Sequence, residues 1–107
     1  MANFLASKIH IDNEHLIIES KNYQHKTYTW VEFLKFIVET NDSGPFGEDI
    51  FFILVTETDE IKIPQSIVDD NEFDEITQRF PNFDYAVFIE AMSSCKNFQF
   101  ICWESKS

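Results

Sequence analysis

The sequence predicts an α+β domain, a mainly antiparallel sheet of four to five strands with about three helices packed on it. Three observations lead there. Some short stretches alternate apolar and polar residues, or are apolar throughout, between polar turns. Others space apolar residues three and four apart, behind residues that cap helices. Hairpin-like connections outnumber strand–helix–strand crossovers, which favours antiparallel pairing. The 107 residues fit one domain spanning 1–107.

The elements follow in chain order. Ile9 and Ile11 alternate with Lys8, His10 and Asp12, the period of a half-buried strand. Asp12-Asn13-Glu14 reads as a turn, His15 to Ser20 as a second strand, and Gln24 to Tyr28 as a short third. Thr29-Trp30-Val31-Glu32 reads as a capping box, with Trp30, Phe33, Leu34, Ile37 and Val38 on one apolar face behind it. That spacing predicts a helix ending near Thr40. The loop from Asn41 to Gly47 holds both glycines of the chain, and its Phe46 is expected to tuck into the core. Ile50 to Val55 is apolar on both faces and suits the middle of a sheet. Glu57 to Glu60 turns the chain, and Ile61-Lys62-Ile63 returns as a hairpin partner, closed by Pro64, which has no N–H to donate.

A second helix is expected from about Asp70 to Phe80, with Phe73, Ile76 and Phe80 inward, and Pro81 ends it. Asp84 can cap a third helix, with Phe83 and Phe88 as a hydrophobic staple, running to Ser93-Ser94. A final strand, Asn97 to Trp103, carries Phe98, Phe100 and Cys102 on one face, with Ile101 and Trp103 on the other.

Composition narrows the function. Apolar residues make up 44% of the chain, twelve of them Phe, which excludes disorder. Asp and Glu number 19 against 8 Lys and Arg, a net charge of −11. That balance argues against binding a nucleic-acid backbone or an anionic membrane surface. It favours a basic partner, or solubility alone. No signal-peptide pattern opens the sequence and no apolar run approaches the ~20 residues of a membrane span. Cys95 and Cys102 lie seven apart with no CxxC, so a cytoplasmic chain with free thiols is expected.

Chemistry-bearing patterns are sparse. His10, His15 and His25 match no metal-ligand spacing, and no cofactor or metal is expected. Neither cysteine sits at a helix N-terminus, where its pKa would fall. Gly44-Pro45-Phe46-Gly47-Glu48-Asp49 lacks the lysine and following helix of a phosphate cradle. No nucleophile elbow or Ser-His-Asp order occurs, so the chain is not expected to be an enzyme. The acids stand out instead. Asp69, Asp70, Glu72, Asp74 and Glu75 crowd the start of the second expected helix, more than a first turn needs. Glu57, Asp59 and Glu60 at the hairpin tip, and Glu48 and Asp49 in the loop, are further candidates for contact with a partner.

Several stretches together resemble a known family: Gly44 to Leu54, Ile63-Pro64, Phe80-Pro81-Asn82-Phe83-Asp84, Ala91-Met92 and Phe100 to Trp103. They are similar to small bacterial immunity proteins of polymorphic and contact-dependent toxin systems, over about residues 28–103. The resemblance implies a small, often acidic, cytoplasmic protein, and the residues themselves lead to the expectation of a monomer or weak dimer without hydrolase activity. It would neutralise one cognate toxin domain, often a basic nuclease, by blocking its active site. The competing readings are an acidic interaction or regulatory module, and a small enzyme using Glu48, Asp49 or a histidine.

Overall fold

The computed structural model describes residues 2–21, 24–41, 50–94 and 96–105. Among these the chain is mostly β, a seven-stranded mixed sheet with two short α-helices, which corrects the expected four to five strands and three helices. The strands are β1 (Ala2–Ile11), β2 (His15–Ser20), β3 (His25–Thr29), β4 (Lys35–Thr40), β5 (Ile50–Val55), β6 (Asp59–Pro64) and β7 (Phe98–Glu104). The helices are α1 (Asp70–Thr77) and α2 (Tyr85–Met92). The strands lie in the order β3-β2-β1-β6-β5-β4-β7. β1 runs parallel to β6, and the other pairings are antiparallel.

β1 joins two parts of the sheet. Ala2 to Leu5 pairs with β6, and Ala6 to Ile11 pairs with β2. A bulge at Ser7 separates them, and the Ser7 hydroxyl donates to the Glu19 carbonyl at 3.0 Å. The extra residue shifts the alternation by one. Phe4 and Ala6 face the core before it, Ile9 and Ile11 after it, so a simple period shows only the second half.

The helix expected from Trp30 to Thr40 is instead one 3-10 turn, Trp30–Glu32, followed by β4. The expected capping box forms at this turn, where the Glu32 carboxylate accepts the Thr29 N–H at 2.7 Å and the Thr29 hydroxyl at 3.1 Å. The chain then leaves the turn, and Leu34 N–H donates to the Val55 carbonyl at 2.7 Å. The reason lies in Phe36. A helix would hold it off the apolar face defined by Trp30, Phe33 and Ile37, whereas the strand buries Phe36, Val38 and Thr40 together. Ile37, Val38 and Thr40 are also β-branched, and β5 and β7 satisfy both edges of β4.

Both helices stand on the Phe36 side of the sheet. Phe36 meets Phe83 at 5.1 Å, Phe52 at 5.6 Å and Phe80 at 6.0 Å between ring centroids. Phe73 of α1 and Phe88 of α2 pack at 4.6 Å above them. α1 starts in a complete capping box: the Asp69 carboxylate accepts Glu72 N–H at 2.7 Å, and Glu72 accepts Asp69 N–H at 3.1 Å. It ends at Thr77, and the turns that follow carry Phe80 into the core. Asn82 holds φ at 63°, the left-handed region that Asn tolerates, as the chain turns toward α2. The Asp84 carboxylate then accepts Val87 N–H at 3.0 Å, and Phe83 and Phe88 lie 6.3 Å apart across the cap.

β7 is an edge strand with a bulge at Cys102 where it pairs with β4. The bulge returns Trp103 to the core side, correcting the face expected for it. Trp103 stacks on Phe80 at 4.5 Å, and its indole N–H donates to the Pro81 carbonyl at 3.0 Å. Among the described residues the opposite face of the sheet carries no helix. Leu5, Lys62, Ile53, Ile37 and Ile101 form one cross-strand row there.

Candidate functional site

Helix α1 sorts its residues by face. Phe73 and Ile76 turn inward on a 3.6-residue period, so the residues between them turn out. Asp70, Asp74 and Glu75 are exposed. Asp69 and Glu72 are tied to one another's backbone in the capping box, so part of the acid run builds the helix. Among the described residues the remaining carboxylates form no ion pair. Among the described residues the ion pairs are His15–Asp12, Lys26–Asp59, Lys35–Glu104 and Lys62–Glu39, and none reaches α1. Arg79, the nearest cation along the chain, donates its Nε–H to the Glu75 backbone carbonyl at 3.3 Å but pairs with no α1 carboxylate. Its guanidinium donates to the Asn13 carbonyl at 2.7 Å and lies 5.2 Å over the Trp30 ring.

The hairpin tip divides differently. Glu57 is exposed and Glu60 half-buried, but Asp59 is only 4% exposed. Its Oδ2 accepts the Tyr28 hydroxyl at 2.7 Å and pairs with Lys26 Nζ at 3.2 Å. Lys26 also lies 4.8 Å over the Phe4 ring. The Tyr28 hydrogen bond, aided by Lys26, holds the Asp59 carboxyl below the usual carboxylate range. Burial, then Asp59, pushes the Tyr28 phenol up. Asp59 thus ties edge strand β3 to central strand β6, and its carboxylate is not on the contact surface expected for it. The signal was present in the sequence: Asp59 is in period with the core residues Ile61 and Ile63.

Glu48 and Asp49 lie outside the described residues, as do Gly44 to Gly47, including Phe46, and Cys95. Cys102 is a free, buried thiol, pushed up to about 12 by burial and then by Asp84. Protonated at neutral pH, it is a core residue and no nucleophile. His15 lies 3.4 Å from Asp12, whose carboxyl is held low chiefly by the backbone N–H groups of Glu14 and His15. His10 is exposed. Among the described residues no three His, Cys, Asp or Glu side chains converge to hold a metal. A 400 Å³ cavity beside Phe4, Ser20, His25 and Lys26 contains one ammonium, already paired with Asp59. No helix among the described residues is long and apolar enough to cross a membrane.

The acid pattern gave no hint of a second feature. Two large apolar residues of α2, Tyr85 and Ile89, are exposed. The Tyr85 hydroxyl donates to Thr77 Oγ1 at 3.3 Å, which places this surface directly beside α1.

Compared with known proteins, the chain matches no family model, and no curated protein or solved structure is significantly similar to it.

Proposed function

We propose that the chain is a non-catalytic binding protein that neutralises a basic protein partner. The resemblance to immunity proteins supplies the form of that role: the partner is a cognate toxin domain of nuclease type, blocked at its active site. The single observation behind this reading is the unpaired acid face of α1, where Asp70, Asp74 and Glu75 meet solvent with no cationic nitrogen within 4.0 Å of their carboxylates among the described residues. Carboxylates so placed stand in for substrate phosphates in a basic cleft. They speed encounter through long-range attraction and select against acidic competitors. Glu57, at the hairpin turn, adds to the same negative field. The role requires a cytoplasmic chain, where the toxin would act.

Co-expression with the toxin domain encoded beside the chain's own gene tests this reading. Rescue of growth, with a stoichiometric complex recovered from the cells, is expected. Toxicity unrelieved by the chain, with no complex formed, overturns it.

A further inference from the structure

We infer that the outer face of α2, centred on Tyr85 and Ile89, is the apolar centre of the surface that grips the basic partner, with Asp70, Asp74 and Glu90 as its charged rim. The inference rests on the proposed function and adds what the acids alone cannot supply, a desolvated anchor.

α2 reads Tyr-Ala-Val-Phe-Ile-Glu-Ala-Met and has one charge, Glu90. Its inner face is fully used: Ala91 is buried, and Val87 and Phe88 pack on the core. Yet Tyr85 is 51% and Ile89 64% exposed. They stand four apart, one above the other on the same helical face. Tyr85 is also fixed in place. Its ring packs on Phe83 at 4.9 Å, and its hydroxyl is bonded to Thr77 of α1. An aromatic side chain already held in one rotamer loses little freedom on binding, which suits an anchor.

The placement joins apolar and acidic features. The Thr77 hydroxyl that receives Tyr85 donates to the Asp74 carbonyl at 3.3 Å, so Tyr85 abuts the turn of α1 that presents the acids. Glu90 follows Ile89 on α2. An apolar centre with a charged margin is the usual anatomy of a protein interface. The charge decides the occupant. A second copy would bring two acidic rims together on chains of net charge −11, which repels. A protein with an apolar recess ringed by Lys and Arg satisfies both features.

The test measures binding kinetics of the full chain against the neighbouring toxin domain, inactivated by mutation. Ile89→Ala and Tyr85→Ala are each expected to weaken affinity about 30-fold, the size of a hot-spot residue, mainly through faster dissociation. The slope of association rate against salt should not change. Ile89 is exposed on a helix, so its alanine variant keeps the fold and decides the matter even if Tyr85→Ala unfolds. Wild-type affinity in Ile89→Ala overturns the inference and leaves the proposed function standing. Failure of the wild type to bind overturns both. A concentration-dependent dimer of the wild type, abolished by Ile89→Asp, makes the occupant a second copy and also overturns it.

Discussion

On the open face of the sheet, Lys62 pairs with Glu39 at 3.1 Å and Lys35 with Glu104 at 3.4 Å, while on α1 the carboxylates of Asp70, Asp74 and Glu75 face solvent with no such neighbour among the described residues. The two regions use the same residue types to opposite ends. On the sheet Lys35 of β4 meets a carboxylate on the adjacent strand β7, and Lys62 of β6 reaches across β5 to Glu39 of β4, covering the Phe51 ring at 4.7 Å. Such pairs settle locally and leave little field beyond the surface. On α1 the charge is left for counterions or for a partner to neutralise. The helical layer thus carries a dense share of the negative charge of a chain of net charge −11. Asp59 marks the boundary between the two uses: an acid drawn into the core, where its charge serves only the fold.

The sharpest way to break this comparison is to remove what holds the helical layer to the sheet. Phe36 is fully buried and touches rings from β5, α1 and the turn before α2. Phe36→Ala is expected to lower stability by about 3–5 kcal/mol, measured by urea unfolding. A loss under about 1 kcal/mol would restore the helix expected over residues 30–40, where this side chain would meet water.

Next in size is the Asp59 cluster. Tyr28→Phe leaves the carboxylate without its hydroxyl donor and is expected to cost about 1.5–3 kcal/mol. Its pH dependence is also fixed in sign. The folded pKa of Asp59 is depressed, so its contribution is complete above the unfolded value of about 3.9 and is lost as pH falls through the folded value. Stability measured from pH 6 downward should fall less steeply below pH ~4 in Tyr28→Phe than in the wild type. Parallel acid limbs in the two proteins would contradict the assignment.

The smallest effect belongs to the paired face. Glu39→Gln removes the carboxylate of one half-exposed ion pair and is expected to change stability by about 0–1 kcal/mol, with binding of the proposed toxin partner unaltered. Altered binding in that variant would move the contact surface to the open sheet.

Much of the fold was legible because it follows local rules. The turn at Asp12, the strands from His15, Ile50 and Ile61, and the two caps at Asp69 and Asp84 depend on neighbours a few residues away. Misreadings arose where distant partners decide. The stretch from Trp30 to Thr40 satisfies a helical period and a strand period alike, and only β5 and β7 on either side select the strand. Bulges at Ser7 and Cys102 each insert a residue, so a strict alternation lost the start of β1 and misplaced Trp103. In the candidate site, the outward acids of α1 follow from helical periodicity. The withdrawal of Asp59 depends on Tyr28, thirty-one residues away in the chain. The exposure of Tyr85 and Ile89 was hidden because an apolar helix reads as core until its packing is seen.

The central claim, that α1 presents charge meant for a partner, is met most directly by reversing it. Asp70→Lys, Asp74→Lys and Glu75→Lys combined are expected to leave unfolding stability within about 1 kcal/mol, since exposed charges contribute little. Association with the inactivated toxin domain, followed across a salt series, should slow markedly at low salt and lose most of its dependence on ionic strength. Association equal to that of the wild type at every ionic strength would show that this face takes no part in binding.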